Sequence, residues 1–111
     1  MSVVAFERKQ DTGVWTETEL NALLAGLQAA TAPSTGRSWE TGLTENGDAQ
    51  FYLLGAPPEQ ACELCVSRIG RRYVLEDGAG RLLFEHRNLD LVLLHAKAAL
   101  SPSSRLMVRA I

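Results

Sequence analysis

The stretch Glu63-Leu64-Cys65-Val66-Ser67-Arg68-Ile69-Gly70-Arg71-Arg72-Tyr73-Val74-Leu75-Glu76-Asp77-Gly78-Ala79-Gly80-Arg81-Leu82-Leu83-Phe84-Glu85-His86 decides the fold. Its apolar residues recur with a period of two, the spacing of a strand with one face buried. Leu64 and Val66 stand opposite Cys65, Tyr73 and Leu75 share a face, and the same alternation places Leu82 and Phe84 together. The breaks are Gly70-Arg71 and Asp77-Gly78-Ala79-Gly80, rich in residues that tolerate tight turns. Connections this short cannot carry a parallel crossover. The reading is an antiparallel meander with strands over 63–69, 72–76 and 81–86.

Working outward, two more strands precede the meander, over 38–45 and 49–54, joined across Asn46-Gly47, a strong hairpin signal. The second has Phe51 and Leu53 on one face and Tyr52 and Leu54 on the other, so both faces are apolar. Gly55-Ala56-Pro57-Pro58-Glu59-Gln60 is a connection, because neither proline can donate to a ladder. Further upstream, Thr16-Glu17-Thr18-Glu19 has the capping-box form and opens a helix over 17–31 with Leu20, Leu23, Leu24 and Leu27 on one stripe. Pro33 ends it. Downstream, Asn88 caps a second helix over 89–100. The ends are less marked: 3–8 is β-prone and fits an edge strand, and 101–111 reads as a tail. The expectation is a single α+β domain over 1–111. It has a five-stranded antiparallel meander sheet (six with 3–8), and two helices, one before and one after the strands, pack on one face.

The composition agrees. The chain has 111 residues, 46% hydrophobic and 22% charged, with a net charge of -2, the profile of one soluble globular domain. The charge is uneven. Residues 1–50 hold three basic and seven acidic side chains (net -4), and residues 51–111 hold eight and six (net +2). An acidic total argues against nucleic acid as a partner. Met1 to Lys9 lacks the build of a secretory signal. The longest apolar stretch, Leu89–Leu100, is interrupted by Asp90, His95 and Lys97 and falls short of the roughly 20 apolar residues a membrane span needs. The expected setting is the cytoplasm, where two cysteines are most simply free thiols.

Cys62-Glu63-Leu64-Cys65 is the most conspicuous chemistry. A Cys-x-x-Cys pair serves as a redox dithiol or as half of a metal site. In a regular strand, residues three apart point to opposite faces, which opposes a disulfide. The available Cys₂His₂ set for zinc is Cys62, Cys65, His86 and His95. Its histidines are spaced more widely than is usual, and the bland reading is two spectator thiols and two surface histidines. Cys65 with His86 and Glu85 or Asp90 can be written as a nucleophile set, but any chain of this size offers such a triplet. Gly78-Ala79-Gly80 precedes a strand, so it is a turn and not a phosphate loop. Arg68, Arg71, Arg72, Arg81 and Arg87 are read as partners of Glu63, Glu76, Asp77 and Glu85 on a solvated face.

Two apolar surfaces exceed what a core needs. The second helix has one stripe of Leu89, Val92, Leu93, Ala96 and Leu100 and a further stripe of Leu91, Leu94 and Ala98. On the sheet, Tyr52, Leu54 and Leu83 fall on the face without helices. The functional expectation is a small non-catalytic interaction or regulatory domain, homodimeric, with the open sheet face suited to a peptide or an apolar ligand. The alternatives are a thiol-redox or zinc protein using Cys62 and Cys65, and an acidic adaptor or chaperone for a partner protein.

Overall fold

The computed structural model describes residues 14–31 and 35–100. The expected edge strand over 3–8, the stop at Pro33 and the tail over 101–111 lie outside the described residues. The element order is α1 (Glu17–Leu23, continued by a π-helical turn Leu24–Gln28), β1 (Ser38–Leu43), β2 (Ala49–Leu54), β3 (Cys62–Ile69), β4 (Arg72–Asp77), β5 (Leu82–His86) and α2 (Leu89–Leu100). The strands form one antiparallel sheet in the order β1-β2-β3-β4-β5. This is the α+β meander the sequence implies.

Each turn follows from its residues. Thr44 and Asp48 close the β1–β2 loop, with Thr44 N–H donating to the Asp48 carbonyl at 2.9 Å and Gly47 in left-handed geometry (φ 86°). Asp77 and Arg81 close the β4–β5 loop in the same way, with Gly80 at φ 84°. Both are three-residue loops in which a left-handed glycine completes the reversal. Gly70-Arg71 is a two-residue turn with positive φ at the glycine. Thr16 Oγ1 accepts from Glu19 N–H at 3.1 Å while Glu19 Oε1 accepts from Thr16 N–H at 2.9 Å, the reciprocal capping box. Asn88 Oδ1 accepts the Asp90 N–H at 2.9 Å and starts α2.

Both helices lie on one sheet face. Phe51, Leu53, Leu64, Val66 and Leu75 from the sheet meet Leu23, Leu27, Val92, Leu93 and Ala96 from the helices. Full burial of each large apolar side chain contributes roughly 1.5–3 kcal/mol. Trp39 stacks on Phe51 (centroids 5.0 Å apart), and its Nε1–H donates to Thr31 Oγ1 at 2.9 Å, tying β1 to the end of the first helix.

Two β-bulges change which residues share a face. Leu53 pairs with Leu64 but Leu54 pairs with Cys62, leaving Glu63 as an extra residue in β3. Leu75 pairs with Phe84 but Glu76 pairs with Leu82, leaving Leu83 extra in β5. The first bulge corrects the expectation that Cys62 and Cys65 face apart: both lie, with Leu54 and Tyr52, on the sheet face turned away from the two described helices, the helix-free face among the described residues. The second corrects the grouping of Leu82 with Phe84. Phe84 joins the core side, and Leu82 stands opposite Glu76.

Candidate functional site

The helix-free face is the place where polar and apolar groups converge without a described element above them. Cross-strand pairing sets Gly42 beside Gln50, Gln50 beside Ser67, Tyr52 beside Cys65 and Cys65 beside Glu76. The Tyr52 ring covers Gly42, its Cε1 lying 3.0 Å from where a glycine Cβ would sit. An aromatic ring over a strand glycine shields backbone that has no side chain of its own. Tyr52 and Leu54 are half-buried.

Gly42, Gln50, Tyr52, Leu54, Cys65 and Glu76 border a groove of about 420 Å³ that also takes in Leu43, Cys62, Asp77 and the backbone of Gly78 and Gly80. Gly78 is required there by close approach, because a Cβ at this position would run into the Cys62 carbonyl. The volume is within the range of small-ligand sites. The Gln50 side chain donates to Ser67 Oγ at 3.2 Å and to Cys65 Sγ at 3.4 Å, which fixes its amide at one end of the groove.

The two carboxylates of the groove differ. Asp77 accepts from Ala79 N–H and Arg81 N–H, each at 2.9 Å, and pairs with Arg81 Nε at 2.9 Å. The Arg81 backbone N–H is the largest cause that holds its carboxyl below the usual range, with the Arg81 side chain and Ala79 N–H acting in the same direction. Glu76 is half-buried, and among the described residues its carboxylate has no hydrogen bond and no ion pair. It stands between its cross-strand neighbours Cys65 and Leu82, an acceptor without a donor among the described residues.

Both thiols are free. Burial raises the Cys65 thiol above its ordinary value, Ser67 partly offsets this, and the charges of Cys62 and Glu76 add to the rise. Cys62 is exposed as a residue, but its Sγ turns to within 3.7 Å of the Leu64 carbonyl. Partial burial there raises its thiol too, with Glu63 and Glu76 contributing. A thiol pushed upward stays protonated at neutral pH and is a weak nucleophile.

The structure separates the proposed zinc set. Cys62 and Cys65 lie on the helix-free side of β3. His86 ends β5, two strands away, and His95 stacks on Phe84 from α2, with ring centroids 3.7 Å apart. Among the described residues no cluster of three or more His, Cys, Asp or Glu side chains could hold a metal. The Cys65–His86 nucleophile set is divided by the same geometry. Leu91, Leu94 and Ala98 are exposed on the crown of α2, and Leu83 is exposed at the bulge of the edge strand.

Of the arginines, Arg37, Arg72 and Arg81 pair with Glu63, Glu85 and Asp77. Arg68 belongs to a cluster that the sequence reading did not find. Its Nε lies 3.1 Å from Glu19 Oε2, its Nη2 donates to the Val14 carbonyl at 2.6 Å, and its guanidinium sits 5.7 Å from the centre of the Trp15 ring. Tyr73 O–H donates to the same Glu19 oxygen at 2.6 Å, and Trp15 Nε1–H donates to the Gln50 carbonyl at 3.0 Å. These bonds clasp the start of α1 to β2, β3 and β4. The available signal was parity: Arg68 falls on the same face as Val66, the core side. No described helix is long and apolar enough to cross a membrane. No family model matches this sequence, and neither a characterised protein nor a solved structure shows significant similarity to it.

Proposed function

We propose that this chain is a small non-catalytic interaction domain whose helix-free groove receives an extended peptide segment bearing a lysine or arginine flanked by apolar residues. The observation that carries the reading is Glu76, a half-buried carboxylate that lacks a partner among the described residues and borders a groove with Tyr52, Leu54 and Leu43. Such a carboxylate favours a cation that arrives with apolar flanks, because the cation supplies the missing partner while the flanks cover the walls. The neighbouring thiols are held protonated and the histidines stand elsewhere, which favours binding over covalent chemistry. The zinc reading has less support because the two thiols lack further ligands within reach among the described residues, and the redox reading because both thiols are raised above their ordinary value and so are poor thiolates at neutral pH.

The test is a titration of the ¹⁵N-labelled chain with two blocked pentapeptides, one alternating leucine with lysine and one alternating leucine with glutamate. The lysine peptide should shift the amides of Tyr52, Cys65 and Glu76, and Glu76→Gln should weaken its binding at least about fivefold, the scale of one charge-assisted bond. Equal response to both peptides, or shifts confined to the helices, would overturn the reading.

A further inference from the structure

The outer surface of the helix layer, on the opposite side of the molecule, carries an independent argument. From Leu20 to Gly36 the sequence has no charged residue. Within that run Asn21, Ala25, Gln28, Ala29 and Ala30 are exposed. A helix whose outer face meets only water ordinarily carries charge there. A shallow groove of about 350 Å³ runs between this uncharged helix and α2, with Ala22, Ala25 and Gly26 on one wall and Asp90, Leu93, Leu94 and Lys97 on the other, Leu93 and the Lys97 stem lying over Gly26. Leu94 projects from the rim and is 62% exposed. The α2 wall holds two charges of opposite sign. Among the described residues neither Asp90 nor Lys97 has an ion-pair partner.

Asp90 and Lys97 are seven residues apart on α2, two turns or about 10 Å along one side. A two-fold axis passing between Leu93 and Leu94, with two α2 helices antiparallel across it, sets each Asp90 opposite the partner helix's lysine and each lysine opposite its aspartate. The two copies of Leu94 then meet close to the axis, so that each covers the other's exposed side chain. The face is therefore self-complementary in charge, with an apolar side chain at its centre, as an isologous contact requires.

From this we infer that the helix layer is the face through which a second copy of this chain binds, forming a two-fold dimer sealed by Leu94 and by reciprocal Asp90–Lys97 pairs. The patch is small beside the roughly 800 Å² per partner of a standard interface, so association belongs at micromolar concentrations and above. The dimer leaves both helix-free faces outward. It does not depend on the peptide reading, which concerns the other side of the sheet.

Sedimentation velocity on the full chain tests it. The wild type should pass from monomer to dimer between about 1 and 100 μM. Asp90→Lys and Lys97→Asp should each remain monomeric at 100 μM while keeping the wild-type far-ultraviolet spectrum. Their equimolar mixture should dimerise, because the all-positive wall then meets the all-negative one. The double variant D90K/K97D should dimerise alone. A wild type that is monomeric throughout, or single variants that dimerise as the wild type does, would overturn the inference, as would a mixture that stays monomeric.

Discussion

Glu19 shows how much one side chain can hold. Its Oε1 closes the capping box with Thr16, and its Oε2 takes the Tyr73 hydroxyl and faces Arg68. Burial is the main reason the Tyr73 hydroxyl is pushed up to about 12, and the Glu19 carboxylate adds to it. The folded state thus favours protonated tyrosine. The associated stability is complete below the unfolded value near 10 and is lost as pH rises from 10 to 12. Tyr73→Phe should lower stability by about 1.5–3 kcal/mol at pH 7, the range of a hydrogen bond to a charged acceptor. It should also flatten the fall in melting temperature between pH 10 and 12. In the groove, Glu76 raises both thiols through its charge. Glu76→Gln should therefore speed alkylation of Cys62 and Cys65 at pH 8, read by mass spectrometry with iodoacetamide. Gly78 and Gly80 separate two kinds of glycine. Gly78→Ala drives a Cβ into the Cys62 carbonyl, whereas at Gly80 the space is open and only the positive φ resists. Gly80→Ala should cost about 1–2 kcal/mol and Gly78→Ala clearly more, with chemical denaturation of the two variants giving the order.

At the scale of elements, the period-two pattern was legible wherever the strand is regular and misleading where it is bulged. β2 has its expected bounds and faces, since Phe51 and Leu53 are buried beside half-buried Tyr52 and Leu54. β3 begins one residue earlier than the alternation suggests and contains an extra residue at Glu63. Nothing in Cys-Glu-Leu-Cys marks a bulge, because bulge formation depends on which partner residues face it and not on local propensity. Regular alternation therefore divides the thiol pair that the bulge brings to one face. The leucine stripe of the first helix likewise predicts α-helix to residue 31, but the ladder widens at Leu24, where Ala29 N–H reaches back five residues to the Leu24 carbonyl at 3.4 Å. Gly26 lies inside that turn, with Leu93 and Lys97 close above it. The bulge gives a prediction that a regular strand would not. Deleting Glu63 restores an unbroken ladder in which Cys62, Leu64 and Cys65 keep their partners, and removes only the Arg37–Glu63 pair. The deletion variant should fold, with a loss of no more than about 2 kcal/mol. Deleting Ser67 instead moves every residue on one side of it to the wrong face and should abolish cooperative unfolding in calorimetry.

For the whole molecule, the meander and both helices follow from short-range signals, whereas the coupling between layers comes from contacts far apart in sequence. The sheet joins neighbours along the chain, and α2 follows directly on β5. The first helix is different: Trp15 to Gln50, Arg68 to Val14, and Tyr73 to Glu19 span between 35 and 54 residues. No periodicity could announce these, because each requires knowing which strands end up adjacent. The same division should govern local opening. The central strands β2, β3 and β4 pair on both sides and carry most of the fully buried side chains, so their amides should exchange only through global unfolding. The first helix rests on leucine burial plus the clasp, and Arg68→Ala removes the bond to Val14, the charge facing Glu19 and the cover over Trp15 at once. In that variant the amides of residues 17–28 should exchange through a separate, lower-energy opening, while those of β2 to β4 and α2 stay together at the global value. If native-state hydrogen exchange shows the first helix opening only with the sheet, the clasp is not what couples the layers, and the leucine stripe alone holds the helix in place.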